Sequence, residues 1–153
     1  MSAGIRTPAK GAEDGFTLVE LLVVMLVIGL LAAIAIPLFF NQTAKAKDTS
    51  AKSDLRHLVE MVEACRVERT SYSQCDSAAE LEDVDGLVFG VAEGNVGVIV
   101  DSTGYTAYAI SKAKTSNVNH VFGWQKSGTT VTRLCMNLAL QPLNAGGCVS
   151  SGW

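Results

Sequence analysis

Residues 15–40 read GFTLVELLVVMLVIGLLAAIAIPLFF, and this stretch decides how the chain is organised. It contains a single charged residue, Glu20, and is otherwise almost wholly apolar. As a helix, such a segment extends for about 37 Å, which crosses a hydrocarbon core of about 30 Å with some tilt. We therefore expect a membrane-spanning helix over residues 16–40. Arg6 and Lys10 precede it, which predicts that the N-terminus stays in the cytoplasm and that the rest lies outside.

Three interpretations of this segment compete. The first is a secretory signal peptide cut near residues 33–35, and the second is a plain signal anchor. The third is a leader that is removed before the apolar stretch, between Gly15 and Phe16. Glu20 favours the third, because a carboxylate in hydrocarbon costs about 2.5–3.5 kcal/mol on insertion scales. A new amino group on Phe16 of a neighbouring chain would neutralise that charge.

Residues 15–20, GFTLVE, and the apolar run after them resemble the cleavage and methylation motif of the type IV pilin and pseudopilin family. Gly29 and Pro37 fall where that family has a helix-loosening glycine and proline. A proline lacks the N–H that would bond one turn back, which weakens the helix there. In the resembling family this stretch can unwind inside the filament and let it extend.

The resemblance implies that residues 1–15 are a leader, which a prepilin peptidase removes after Gly15 before it N-methylates Phe16. Glu20 would then set the axial register of assembly by seeking the Phe16 amine of a neighbour. The expected partners are further copies of the chain, an inner-membrane platform protein, an assembly ATPase and, before assembly, membrane lipid. The expected location is the inner membrane, crossed once, and then an extracellular pilus on a bacterial cell surface.

After Pro37 the pattern becomes amphipathic, with apolar residues at three- and four-residue spacing. We expect one helix from about residue 16 to about residue 66, and its second half should lay an apolar face on a globular head. Residues 41–153 would form this half-helix and head. The face consists of Ala44, Ala51, Leu55, Leu58, Val59, Val62 and Cys65.

The remainder of the head reads as β-structure after a loop over residues 70–85. Short connections predict an antiparallel meander of about four strands packed on the half-helix, which makes a pilin fold of the α+β class. In one strand, the residues at 118, 120, 122 and 124 should share a face. The apolar runs that could supply strands are residues 86–92, 96–101, 105–112, 117–125 and 129–135.

Four cysteines in a short chain favour an oxidising compartment. They allow three pairings, and we favour Cys65–Cys75 with Cys135–Cys148, because each bond closes a loop about the length of one loose segment. A zinc site built from all four is the alternative, but the spacing lacks a Cys-x-x-Cys knuckle. An acidic run at residues 80–85 lacks the ligand spacing of a calcium loop. We expect no metal and no cofactor.

Charge is distributed unevenly along the chain. Residues 76–101 carry seven acidic and no basic residues, whereas residues 102–153 carry four basic and no acidic ones. We expect the acidic span of one subunit to face the basic span, from Lys112 to Arg133, of the next. The whole chain has 12 basic and 15 acidic residues, which argues against a strongly basic nucleic-acid binder. A weak DNA-contacting surface is the minor alternative, made of Lys112, Lys114, Lys126 and Arg133 with Tyr105, Tyr108, Phe122 and Trp124.

These features predict a structural subunit of a type IV pilus. The alternative within this architecture is a pseudopilin or minor pilin of a type II secretion or competence DNA-uptake filament. A rival from another class is a monomeric, membrane-anchored extracytoplasmic binding module. The sequence suggests no Ser-His-Asp arrangement and no phosphate-binding loop, so we do not expect an enzyme.

Overall fold

A computed structural model describes residues 15–81, 86–138, 147–148 and 152–153. Three parts of the chain lie outside these ranges: residues 1–14 of the expected leader, residues 82–85 of the acidic run, and most of the tail. The described residues form one helix and one antiparallel sheet, whose strands follow the order β1-β2-β3-β4. The predicted α+β fold, a long N-terminal helix with a four-stranded meander, is confirmed. The elements are α1 (Leu18–Arg69), a short 3₁₀ turn (Tyr72–Gln74), β1 (Val96–Val100), β2 (Gly104–Thr115), β3 (Val118–Ser127) and β4 (Thr130–Asn137).

The chain divides into two compact units between Leu38 and Phe39. The first unit contains the apolar part of α1, and its large apolar side chains are exposed, from 46% at Val27 to 82% at Phe16. By length and composition, this helix is apolar enough to cross a membrane. Within the described part of the chain, nothing buries this surface.

The ends of α1 differ slightly from the prediction. The helix begins at Leu18 and continues to Arg69, three residues past the expected end. Thr70 then has a φ of 60°, in the left-handed region, and its N–H still donates to the carbonyl of Arg66. A left-handed residue is a common way to end a helix, because the chain can no longer continue the helical path.

The second unit is built on the amphipathic part of α1. Leu55, Leu58 and Val62 are fully buried on one side of the helix. They belong to one apolar cluster with side chains from the sheet and from the loop after the helix. The apolar periodicity therefore predicted the buried side of α1 correctly. The sheet and loop residues of this cluster are Cys75, Leu81, Val96, Tyr105, Ala107, Ala109 and Phe122.

The sheet contains one strand fewer than the apolar runs suggested. Residues 86–92 form no strand, and only Phe89 makes an isolated parallel bridge, to Val96. Gly90 has a φ of 146°, a conformation that glycine adopts readily and that breaks the extended run. The four later runs supply the four strands of the predicted meander.

The two faces of the sheet are both apolar. His120 and Phe122 are buried and Trp124 packs on the core cluster, so the predicted alternation in β3 holds. On the opposite face, Val121 and Gly123 line a cavity of about 240 Å³. The alternation in the sequence does not reveal this second apolar face. Its other lining residues are Val91, Thr106, Tyr108, Ile110, Leu134, Met136 and Leu138.

Two disulfides close loops in the head. Cys65 is bonded to Cys75 and Cys135 to Cys148, the pairing that the sequence favoured. The first is buried, with Cys65 at 5% and Cys75 at 0% exposure. It ties the end of α1 to the loop that follows. The second ties β4 to the tail.

Candidate functional site

The N-terminal end of α1 is held by a reciprocal pair of side chains. The backbone N–H and the hydroxyl of Thr17 donate to Oε2 of Glu20, at 2.9 and 2.6 Å. In return, the N–H of Glu20 donates to the Thr17 hydroxyl oxygen at 3.2 Å. This is a capping box, which satisfies backbone donors that the first helical turn leaves unpaired. It explains why the helix begins at Leu18 rather than at Phe16.

Thr17 is the residue of this site that sequence reasoning missed. The pattern Thr-x-x-Glu before an apolar run is itself a signal of a helix start, and it was readable at residues 17–20. The arrangement gives Glu20 a role within its own chain. Its second oxygen, Oε1, makes no hydrogen bond within the described part of the chain, so it is open to a donor from outside.

The other residues of the predicted assembly segment lie in open surroundings. Phe16 is exposed, and a side chain at Gly15 or Gly29 would meet nothing within 4 Å in the described structure. Pro37 lies inside α1, which continues through it as one helix. Because proline has no N–H, the bond back to Ala33 is missing at this point. The large apolar side chains of this segment are thus exposed.

The head contains a polar network centred on Glu63 of α1. Oε1 of Glu63 accepts hydrogen bonds from Nζ of Lys126 at 2.7 Å and from the Tyr105 hydroxyl at 2.8 Å. Oε2 accepts from Lys126 and, at 3.3 Å, from the Tyr72 hydroxyl. The network joins the helix to β2, β3 and the loop after α1.

The electrostatics of this network favour the charged carboxylate. Burial acts to raise the pKa of Glu63, but the hydrogen bonds from Lys126 and Tyr105 outweigh burial and hold the pKa below its usual value. The carboxylate raises the pKa of Lys126. Burial raises the pKa of Tyr105, and Glu63 raises it further, so this hydroxyl stays protonated as a donor.

A second polar contact lies in the core between α1 and β3. Nδ1 of His120 is 2.9 and 3.0 Å from the two carboxylate oxygens of Asp48, and both side chains are 4% exposed. Nε2 of His120 is 2.8 Å from the Thr115 hydroxyl. The alternation in the sequence predicts that residue 120 shares a strand face with residues 118, 122 and 124, but it does not connect His120 to Asp48. No local pattern reveals this pair, because 72 residues separate its members.

The structure bears on two predictions about the basic residues, the pairing of charged spans between subunits and the DNA-contacting surface. Lys114 pairs with Glu93 at 2.9 Å, and Lys126 pairs with Glu63, so both are neutralised inside one head. The expected pairing of the whole basic span with the next subunit therefore loses two of its four cations. Tyr105 and Phe122 are buried, so they present no ring on which a DNA base could stack. Within the described part of the chain, no group of three or more His, Cys, Asp or Glu is placed to hold a metal ion.

The described residues thus combine an exposed apolar helix that begins with a capping box and a disulfide-bonded α+β head. Comparison with known sequences agrees with the resemblance drawn from the motif. The prokaryotic N-terminal methylation motif matches residues 11–36. The chain is 35% identical over 66 residues to the type IV major fimbrial protein FimA of Dichelobacter nodosus. It is 44% identical over 59 residues to the type IV major pilin protein PilA of Myxococcus xanthus.

A further relative is the type II secretion system core protein G of Pseudomonas aeruginosa, with 29% identity over 68 residues. These matches cover 43%, 39% and 44% of the chain. They cover only 41%, 27% and 48% of the three relatives, so the chain spans less than half the length of each. No solved structure shows a significant match. The motif, the relatives and the fold together confirm the resemblance to the type IV pilin family.

Proposed function

We propose that this chain is the precursor of a structural subunit of a type IV pilus. The observation that carries the proposal is the apolar first part of α1, which its own fold leaves exposed. A contiguous apolar surface of this size needs lipid or other protein around it. The membrane would cover it before assembly, and the same segments of neighbouring copies would cover it in the filament.

The processing site follows from the motif. Removal of residues 1–15 after Gly15 creates an amino group on Phe16, which the prepilin peptidase then methylates. The open oxygen of Glu20 gives a neighbouring Phe16 amine a carboxylate to bind, and this contact sets the axial register of the subunits. By the same resemblance, a platform membrane protein and an assembly ATPase extract the helix from the inner membrane, and the head lies outside.

A second candidate is a pseudopilin or minor pilin, serving type II secretion or DNA uptake. The similarity to the secretion system core protein G favours it, because that relative is 29% identical to the chain over 68 residues. Abundance separates the two. A major pilin dominates the fibres sheared from the cell surface, whereas a pseudopilin or minor pilin is a trace component or absent.

The test of processing is the intact mass and N-terminal sequence of the protein from membrane and sheared-surface fractions. We expect a chain that begins at Phe16, heavier by one methyl group and lighter by the hydrogens lost in two disulfides. A chain that begins at Ile36 would indicate an ordinary secreted protein. An intact start at Met1 or Ser2 would indicate a simple membrane anchor, and either result would contradict the proposal.

A further inference from the structure

Three polar side chains form a row of hydrogen bonds that runs from the core of the head to its surface. The carboxylate oxygens of Asp48 lie 2.9 and 3.0 Å from Nδ1 of His120, and Nε2 of the same ring lies 2.8 Å from the hydroxyl oxygen of Thr115. Asp48 and His120 are buried, whereas Thr115 is exposed. We call these three residues the polar triad. Carboxylate, imidazole and hydroxyl stand in the order in which a base activates a hydroxyl nucleophile.

The positions of the protons in the polar triad follow from its acceptors. An ionised carboxylate can only accept, so Nδ1 of His120 carries a proton that it donates to Asp48. In the neutral imidazole, Nε2 then has no proton, and it accepts the hydrogen bond that the Thr115 hydroxyl donates. A general base needs this tautomer, because its lone pair faces the proton of the nucleophile.

Irregular backbone brings the hydroxyl to the ring. The pairing of β2 with β3 shifts between Ile110 and Lys114, where residues 111–113 of β2 stand opposite the single residue His120 of β3. Bulges of this kind re-aim side chains and are over-represented next to active sites. The turn after β2 consists of Ser116 and Asn117 with φ of 51° and 66°, a region that residues other than glycine rarely adopt. Such backbone strain concentrates at sites that bind or react.

We propose that Thr115 is an acylation site, whose hydroxyl takes an acyl group from an activated carboxylic ester, either a thioester or an aryl ester. The hydroxyl oxygen attacks the carbonyl carbon of the ester, and Nε2 of His120 takes the hydroxyl proton. The bond to the leaving group then breaks, which leaves the acyl group on Thr115, and the imidazolium gives its proton to the departing thiolate or aryloxide. Asp48 holds the ring in the required tautomer and stabilises its positive charge. This activity goes beyond the proposed filament role and does not depend on it.

Acetylation by p-nitrophenyl acetate tests the proposal on the full chain in detergent. We expect release of nitrophenol, a gain in mass of one acetyl group, and an ester that peptide fragmentation places on Thr115. Thr130 is the internal control, since it is an exposed threonine at the start of β4. General-base catalysis should make acetylation of Thr115 at least about a hundredfold faster than that of Thr130. Acetyl groups on amines alone, or equal rates at the two threonines, would overturn the proposal, and this comparison needs no variant to fold.

Substitutions separate a reactive hydroxyl from a merely structural hydrogen bond. Thr115→Val should remove the fast phase of nitrophenol release, whereas Thr115→Ser, which keeps the hydroxyl, should retain it. Asp48→Leu with His120→Leu removes the base and fills its place with apolar side chains, so the head should stay folded by near-ultraviolet circular dichroism. In this double variant, Thr115 should react no faster than Thr130. Fast acetylation of Thr115 in the folded double variant would show that His120 is not the base.

Discussion

The two parts of α1 belong to one continuous helix, but their apolar side chains differ in burial. Before Phe39 the helix is apolar on every side, and its own chain leaves it exposed, with Leu26 at 57%. After Phe39 only one side is apolar, and Leu58 on that side is fully buried. Apolar residues at helical spacing, and not the total amount of apolar surface, therefore distinguish the part of the helix that packs on its own fold. A helix that is apolar on every side needs lipid or other protein chains to cover it.

The largest loss of stability is expected when the buried pair of Asp48 and His120, which joins the second part of α1 to β3, is broken. Asp48→Ala removes the acceptor of His120 inside the core and should lower the free energy of unfolding by about 4 kcal/mol. Denaturant titration of the full chain in detergent measures this, since both tryptophans, Trp124 and Trp153, lie in the head. Replacing both partners, as Asp48→Leu with His120→Leu, should cost less than Asp48→Ala alone. A larger cost for the double variant would contradict the account.

The comparison itself is tested by one substitution in each part. Leu58→Ala should lower the free energy of unfolding by about 3.5 kcal/mol, because it leaves a cavity in a packed core. Leu26→Ala removes the same atoms from a side chain that is 57% exposed. Its denaturant midpoint should equal that of the unaltered chain, while the filament yield falls. If Leu26→Ala lowered the stability of the head as Leu58→Ala does, the two parts of α1 would not differ in the way described.

Removal of the second disulfide should come next in size. Cys135→Ser with Cys148→Ser frees a loop with a sequence separation of 13, and the loss should be about 3 kcal/mol on the chain-entropy model. The unfolding transition of the full chain in detergent measures it. Since the proposed membrane-spanning segment is the first part of α1, the protein should still be recovered in the membrane fraction. Loss from that fraction with a folded head would argue otherwise.

The smallest effect is expected in the network of Glu63. Glu63→Gln should cost about 1 kcal/mol at neutral pH, because this partly exposed side chain loses its charge towards Lys126. The lowered pKa of Glu63 means that its contribution is present above its ordinary value of 4.5 and is lost as the pH falls below it. The raised pKa of Lys126 means that its contribution is present below 10.5 and is lost at higher pH.

The difference in unfolding free energy between the Glu63→Gln variant and the unaltered chain should therefore be greatest between these limits. It should shrink towards acid and towards alkali. A difference that stays constant from acid to neutral pH would show that the charge of Glu63 does not stabilise the head.

Much of the fold was predictable because it follows from local patterns. The apolar run, the three- and four-residue spacing after Pro37 and the alternation in β3 each express a period that a helix or strand imposes. The capping box at Thr17 and Glu20 was equally local, but it went unread. Of the five apolar runs, residues 86–92 form no strand, because apolar, β-branched composition does not ensure a pairing partner.

What the sequence could not supply is contact between distant residues. Asp48 contacts His120 and Glu63 contacts Lys126, at sequence separations of 72 and 63. No local sequence pattern indicates that these residues lie close together. Arg56 and Arg133 are a further case, since both lie against the Trp153 ring only after β4 is in place. Charge counts along the chain suggested an interaction between heads. The fold pairs Lys114 and Lys126 with carboxylates of the same head, which the charge counts do not show.

The most direct test of the central claim is substitution of Glu20, read out on both parts of the molecule. In Glu20→Ala, we expect loss of the protein from sheared filaments, with unchanged membrane content and an unchanged denaturant midpoint of the head. Thr17→Val is the matched control, because it weakens the same helix cap while it keeps the carboxylate, and it should retain most of the filament yield. Normal filament yield in Glu20→Ala would contradict the account, and would favour a monomeric membrane-anchored module.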